Sequence, residues 1–580
     1  MKDMNQRLFL AIAIWLACIF GYYTFFAPKK PAVQPVAQQT AAAQPEVTAA
    51  QPAGPAAAGA APASAAPIAG DVPRGTIRPT PPLREVTFET PRARVVVTSD
   101  GAAVRSIQLL GDKWTRHKGG KDESHVDLVE PHAGETLPFS TTVRNGSGAE
   151  VLPANAGYQL VRQDATSATF RAEQGEVTLV KTLSVNPATY GIDLAVEVHA
   201  PAAFAGQLAV ISGAHAEEPS GGMFASRTNT PARTLCLQGN NKVERVAIGA
   251  KHPEFEAPAA QFAGIDEQYF LTAILAPQGV AASCKLEARG EKTGVLLASV
   301  IVPVQLAAGG TAQLAFKGYA GPKTDLELVA VAAPLKQAID WGFWSVIAEL
   351  LLGVMKFFQR IVPGHNWGIA IILLTLAMKA LTFPLQHKSM KSMQEMQRIQ
   401  PQLDELKKKY AGDTQRQNLE QMKLFKEHGV NPMGSCLPML IQMPIWFALY
   451  TTLQVSVELY NAPFIPGWLD DLTAKDPFYI LPVAMGITMI LTQVLTPTPM
   501  SNPSQKTMGY VMSGFFSLLM LTLPSGLTLY IFTNNVLSIG QQMYLRRTVG
   551  KPPAGGRTVE VSKKDEKDGG GGAERAKIRA

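Results

Sequence analysis

Residues 367–385 read WGIAIILLTLAMKALTFPL, a run in which Lys379 is the only charged residue. As a helix this run would rise about 28 Å, enough to cross most of the hydrocarbon of a bilayer. It is followed at once by QHKSMKSMQEMQR at 386–398, so the apolar crossing ends against a cationic segment. This predicts a membrane-embedded fold, and the rest of the chain is organised around the crossing.

Charged residues make up 17% of the 580, against about 25% in an average soluble protein, while hydrophobic residues are an ordinary 46%. The shortfall must be concentrated in nearly uncharged regions, which excludes a purely soluble globule. Further apolar runs occupy 437–459, 478–495, 509–523 and 527–544, the last two split by the turn signal Pro524-Ser525-Gly526. Another uncharged run, at 8–26, follows a short basic start. It is longer than a signal peptide's apolar core, and Trp15, Tyr22, Tyr23, Phe25 and Phe26 offer no small-residue cleavage site, so 1–26 is expected to be an uncleaved anchor. Six spans result, five of them in the core.

Residues 27–82 are mostly Ala, Pro and Gln and read as a flexible linker. Short β-branched or alternating runs then recur at 94–98, 104–110, 177–184, 190–198, 269–275, 294–302 and 312–319, with turn residues such as Asp100-Gly101 and Asn145-Gly146 between strands. That spacing predicts an all-β sandwich over 83–333. Within 334–366, Glu349, Lys356 and Arg360 interrupt an apolar stretch, which suits a helix lying in the membrane interface. The membrane core is placed at 367–545 with a cytoplasmic helical hairpin at 386–436, and 546–580 reads as a basic, disordered tail. The expected fold is therefore mixed: a polytopic α-helical membrane bundle carrying a large periplasmic all-β sandwich.

Lysine and arginine set the orientation. Nine lie in 386–436 and ten in 545–580, whereas 460–477 has only Lys475, beside Asp470, Asp471 and Asp476. Basic segments stay in the cytoplasm, which puts both termini and the hairpin inside and 27–366 outside, in a bacterial periplasm. The net charge of +7 suggests anionic partners, phospholipid or RNA, for the tail.

No motif for catalysis or cofactor binding has the right spacing; Gly119-Gly120-Lys121 is followed by Asp122 and fails as a phosphate loop. The cysteines, Cys18, Cys236, Cys284 and Cys436, match no zinc pattern. Cys236 and Cys284 are expected as free thiols, with a disulfide in the oxidising exterior as the alternative. His125 and His132 are taken as exposed polar groups of one loop rather than metal ligands.

Polar residues inside the spans are more informative. Thr375, Lys379, Thr382 and Gln386 recur at steps of four, three and four and share a helix face. Tyr530, Asn534, Ser538 and Gln541 make a second stripe, Gln442 adds an amide to a third span, and Thr488, Thr492 and Thr496 mark a face of a fourth. Lipid offers these groups no partner, so together they imply a hydrated groove, although hydrogen bonding between helices explains each stripe apart from that of Lys379 when taken alone. Lys379, about 9 Å from the cytoplasmic helix end, either lines that groove or snorkels to the inner surface. In the cytoplasmic segment, Ile399, Leu403, Leu406 and Tyr410 follow helical spacing, which fits either a solvated structural hairpin or a docking platform.

His365-Asn366-Trp367-Gly368, Asn431-Pro432-Met433-Gly434-Ser435-Cys436-Leu437-Pro438 with Ile441-Gln442-Met443-Pro444, Asp476-Pro477-Phe478-Tyr479-Ile480-Leu481-Pro482, and Pro524-Ser525-Gly526-Leu527 resemble the YidC/Oxa/Alb family of membrane protein insertases over about 341–547. The anchor, linker, β-domain and Tyr319-Ala320-Gly321-Pro322 resemble its larger Gram-negative form. The resemblance implies a non-enzymatic insertase and chaperone, without cofactor or metal, that helps hydrophobic segments of nascent membrane proteins into the inner membrane, alone or with Sec translocon components. It implies a groove open to cytoplasm and lipid with a positive charge, by position Lys379, where many members carry arginine. It also implies that Thr375 and Tyr530 lie near the groove and Gln442 and Pro444 near the sliding surface; Thr382, Met443 and Asn534, from the same stripes and motif, complete the candidate substrate-groove residues. The hairpin is implied in substrate capture. Hairpin and tail are expected to meet the ribosome or a targeting factor, and the core to meet membrane phospholipids. The periplasmic part is implied to be a sugar-mutarotase-like sandwich without the chemistry. The residues leave two alternatives: a secondary transporter, although paired repeats are not seen, and a membrane-tethered carbohydrate-binding protein.

Overall fold

A computed structural model describes residues 83–118, 122–130, 132, 135–217, 231–429, 432–495 and 503–548. The expected anchor and linker, Cys18, Thr496 and the tail beyond residue 548 lie outside the described residues.

The described residues up to Pro322 form two large antiparallel sheets and two small ones. A nine-stranded sheet runs from Val243–Val246 at one edge, through Phe270–Leu275 and Thr311–Pro322, to Gln159–Gln163 at the other. A six-stranded sheet runs from Glu254–Ala257, through Thr293–Leu306 and Phe204–Glu217, to Glu150–Leu152. The seven runs picked out in the sequence all fall on strands to within a residue. In Val177–Val185 every second side chain is buried, the period of a strand with one face on a core. The inner faces of both sheets contribute to one core, in which Leu179, Phe262, Leu286 and Val300 have no exposed surface.

The expectation of free thiols is corrected: Cys236 and Cys284 form a disulfide. Cys236 lies in the nine-stranded sheet and Cys284 in the six-stranded one, both wholly buried, so the bond fastens one sheet to the other. Sequence spacing carried no sign of this, because only the stacking of the sheets brings the two Cα atoms to 6.4 Å.

Nine helices follow among the described residues: α1 Asp325–Val331, α2 Ser345–Ile361, α3 Trp367–Arg398, α4 Gln400–Lys409, α5 Thr414–Glu427, α6 Pro432–Val455, α7 Ile480–Leu495, α8 Pro503–Met520 and α9 Ser525–Thr548. α3 packs against α2, α6 and α9, α9 against α7, and α7 against α8. One described helix, over Trp367–Ser389, is long and apolar enough to cross a membrane, and Ile480–Leu495 and Thr507–Met520 are shorter apolar helices. Helix length alone therefore does not establish the six expected spans. The 16 residues of α7 rise about 24 Å against a hydrocarbon core of roughly 30 Å.

Of the two amphipathic helices that the sequence suggests at 388–410 and 414–428, the second is observed to within a residue, and the first is divided. α3 continues unbroken to Arg398, and the break comes at Ile399, just before Pro401 in the first turn of α4. A proline clashes with the carbonyl four residues before it and ends the preceding helix. Beyond the break α4 and α5 pack together, with Met396, Ile399, Leu403 and Phe425 forming a small core of their own.

The β-domain rests on one end of the helical bundle. Asn461, in the segment between α6 and α7, donates from Nδ2 to Lys113 O at 2.9 Å, and Lys113 Nζ donates to Glu458 O at 3.2 Å. Gln268 Nε2 donates to Gln454 O at 3.1 Å. At the strand end leading toward α1, the wholly buried Asp266 receives Lys323 Nζ at 2.8 Å, Arg245 Nε at 2.9 Å and Arg233 Nη2 at 3.1 Å. Burial alone would raise the Asp266 carboxyl, but Lys323, Arg245 and Arg233 together hold it below its usual value.

Candidate functional site

Three helices bring polar side chains into the bundle. On α3, Lys379 Nζ donates to Ser538 Oγ on α9 at 2.8 Å and to Gln386 Oε1 on its own helix at 3.4 Å. Gln386 in turn donates from Nε2 to Thr382 Oγ1 at 3.2 Å, so most of the α3 stripe is one connected network. Ser538 also donates to the backbone carbonyl of Asn534 at 2.7 Å, which places Asn534 one turn from the lysine. On α6, Gln442 Nε2 donates to the buried Tyr530 hydroxyl of α9 at 3.2 Å. α9 is thus the shared wall, meeting α3 through Ser538 and α6 through Tyr530.

The other candidates divide. Thr375 is buried but donates to Ile371 O of its own helix at 2.7 Å. Met443 and Pro444 are half-buried on α6, next to Gln442. Thr488 and Thr492 also bond within their own helix, to Met485 O and Thr488 O. The sequence stripes missed a pair between α7 and α8: Ser513 Oγ donates to Gln493 Oε1 at 3.0 Å, beside Gly509, where a Cβ would stand 1.7 Å from the Gln493 amide. A lone glutamine in an apolar run was the only signal.

Asn535 Nδ2 and Gln541 Nε2 on α9 and His387 Nδ1 on α3 are buried without a hydrogen-bond partner. Asn535 and Gln541 are each three residues from Ser538, and His387 follows Gln386, a partner of Lys379. A buried donor left unmatched costs about 1–3 kcal/mol, so this end of the bundle favours water or a polar guest.

Three of the quoted motifs build the opposite end of the bundle. Asn366 caps α3, accepting the Ile369 N–H at 3.1 Å and donating to Phe464 O at 2.9 Å. Gly368 lets the Phe464 ring lie where a Cβ would otherwise be, only 2.1 Å away. Asp476 receives the Trp468 indole N–H at 2.9 Å and the backbone N–H of Leu481 at 2.7 Å, starting α7. Ser525 N and Gly526 N bond Ala474 O and Leu472 O at 2.7 and 2.9 Å, anchoring the first turn of α9. Each of these helices is thus tied at its start to the same segment between α6 and α7.

Exposed apolar side chains surround the polar interior: Leu376 and Leu381 on α3, Val483, Ile487 and Val494 on α7, and Val511 and Leu518 on α8. A belt of this size is what lipid, rather than water, accommodates.

Comparison with known proteins gives matches to both halves of the chain. Residues 357–552 match the model of the 60Kd inner membrane protein family, and residues 85–354 match the model of the YidC periplasmic domain. The chain is 39% identical to the membrane protein insertase YidC of Anaeromyxobacter dehalogenans (strain 2CP-C) over 569 residues, covering 95% of this chain and 99% of that one. It is 41% identical to the membrane protein insertase YidC of Anaeromyxobacter sp. (strain Fw109-5) over 470 residues, 79% of this chain and 84% of that one. Among solved structures, an active YidC insertase with its first transmembrane domain resolved matches 79% of this chain and 92% of that one, at 18% identity and a TM-score of 0.35.

Proposed function

This chain belongs to the YidC family of membrane protein insertases, and we propose that it moves hydrophobic segments of nascent proteins into the bilayer along a polar groove formed by α3, α6 and α9. It is a membrane protein insertase of the inner membrane with a large periplasmic all-β domain. The observation that carries the groove is the meeting of Lys379 with Ser538 and of Gln442 with Tyr530 inside a belt of exposed apolar side chains. Its partners Ser538 and Gln386 are neutral, so the charge of Lys379 is available to an acidic group of a passing segment. A polar path lowers the desolvation cost of carrying a short hydrophilic stretch across, and release of the apolar segment into lipid supplies the driving free energy. Thr375, Thr382, Met443, Pro444 and Asn534 line or support that path, and the chemistry needs no cofactor and no enzymatic turnover.

The orientation has both termini and the α4–α5 hairpin in the cytoplasm, with six crossings counting the anchor. Asn461, between α6 and α7, and Gln454, near the end of α6, are hydrogen-bonded to the β-domain, which supports a common side for the two, while α3 leads to the basic hairpin. The hairpin and tail meet the ribosome or a targeting factor, phospholipids surround the core, and Sec translocon components accompany the chain for some substrates. A photo-crosslinker introduced at Met443 or Asn534 should capture a stalled nascent membrane segment, whereas one at Val494 on the outer face of α7 should capture lipid. Equal capture of the segment at all three positions would reject the groove.

A further inference from the structure

Away from the bundle, the β-domain brings together three side chains that the sequence scatters. Strand Phe204–Glu217 presents His215, whose Nδ1 lies 2.7 Å from Glu135 Oε1. His132 places its Nδ1 3.6 Å from the other oxygen of the same carboxylate, and the two imidazoles stack with centroids 4.2 Å apart and planes 28° apart. One donor atom from each of the three lies within 4.8 Å of the others. His125, the other histidine of this stretch, lies on a strand, pairing with Thr115 in a two-stranded sheet, and is not part of the cluster.

The approach is built by the backbone. Thr136 O stands 1.9 Å from where a Cβ on Gly213 would be, so only glycine lets the segment after Glu135 press onto this strand, two residues from His215. A cavity of about 340 Å³, lined in part by His132, Glu135, His215 and Glu217, opens onto the cluster.

A hydrogen bond pairs His215 with Glu135, and His132 Nδ1 lies 3.0 Å from the carbonyl oxygen of Glu130, which holds the second imidazole stacked over that pair. A divalent cation can accept all three donors at once. We infer that His132, Glu135 and His215 form a zinc-binding site in the periplasmic domain, with a fourth position open to the cavity. Two imidazole nitrogens and a carboxylate oxygen are a borderline donor set that favours zinc over calcium or magnesium, which take mainly oxygen. Tetrahedral ligands at about 2.0–2.1 Å from zinc stand roughly 3.3 Å apart, so the widest pair in the cluster needs to close by about 1.5 Å. His132, half of whose side chain is exposed, has room to make that movement. Bound zinc would fasten His132 and Glu135 to the strand of His215. The site does not depend on the groove or on insertion.

The test uses the full-length, untagged chain in detergent, stripped of metal and titrated with Zn²⁺ alone by calorimetry. One equivalent should bind, and zinc should raise the melting temperature by linkage. His132→Ala and Glu135→Gln should each weaken binding at least tenfold while the metal-free melting temperature stays near that of the parent. His199→Ala, an exposed histidine elsewhere in the domain, should bind as the parent does. Absence of saturable uptake up to about 100 µM Zn²⁺, or uptake unchanged in both His132→Ala and Glu135→Gln, overturns the site.

Discussion

The indole of Trp114 in the β-domain stacks on the ring of Tyr460 in the segment between α6 and α7, centroids 5.9 Å apart and planes 25° apart. Phe270 meets both rings edge-on, at 5.8 and 5.7 Å. This aromatic cluster joins the exported domain to the helix starts that the signature motifs assemble. Trp114→Ala should cost about 3–5 kcal/mol of packing. Melting followed by tryptophan fluorescence should then split into two transitions as the β-domain uncouples. A single transition at the parent temperature would show that the cluster joins nothing of consequence.

Asp266 should stabilise the domain in a pH-dependent way. Its folded carboxyl titrates below the ordinary value, so its contribution is present above the unfolded value near 3.8 and is lost as pH falls through the lower folded one. Asp266→Asn would leave the buried Lys323 ammonium without its carboxylate, and breaking such a pair costs about 3–5 kcal/mol. The gap in melting temperature between parent and variant should therefore be widest near neutral pH and shrink below about pH 4. A gap that stays constant across this range contradicts the assignment.

The Cys236–Cys284 bond closes a separation of 48 residues, for which the chain-entropy estimate is about 4 kcal/mol. Replacing both cysteines with serine, or reducing the folded chain, should lower the temperature at which the β-domain melts. Free thiols detected in the unreduced denatured protein at both positions would remove the bond.

Lys379 is where charge and position make the sharpest functional claim. Lys379→Arg should preserve insertion, since a cation remains beside Ser538 despite its different head geometry. Lys379→Ala should impair substrates with acidic translocated segments more than neutralised ones. Lys379→Glu should impair them most, replacing attraction for an acidic segment with repulsion. Equal insertion rates for all three, at matched levels in the membrane, would leave the lysine as a snorkelling side chain.

Single cysteines at Thr414, in the first turn of α5, and at Thr473, between α6 and α7, test the orientation. An impermeant thiol reagent added to whole cells with opened outer membranes should label position 473 alone. Labelling of both positions from the same side would end the six-crossing topology.

The local patterns were open to direct reading because their causes are local. Strand alternation, the uncharged run at 367–385, the break signals at Pro524-Ser525-Gly526 and the four-three-four polar stripe of α3 each depend on residues within a few turns of one another. The sequence marked Lys379, Thr382 and Gln386 as one face, and the network among them follows from helix geometry. The break at Ile399 is preceded by no such unambiguous signal, since Pro401 follows it while Pro384 lies inside the unbroken α3.

Contacts distant in sequence required the folded chain. Ser538 lies 159 residues from Lys379 and Tyr530 lies 88 from Gln442; neither spacing carries information, because the packing of α9 against α3 and α6 selects the partners. The same holds for Cys236 with Cys284 across two sheets and for His132 and Glu135 with His215 across a glycine-sized gap. Periodicity and charge determined by themselves that this chain has an all-β domain followed by an apolar helical region with cationic segments beside it. The tertiary structure decided which polar groups face one another, since a side chain's neighbour across an interface is set by packing and not by its position along the chain.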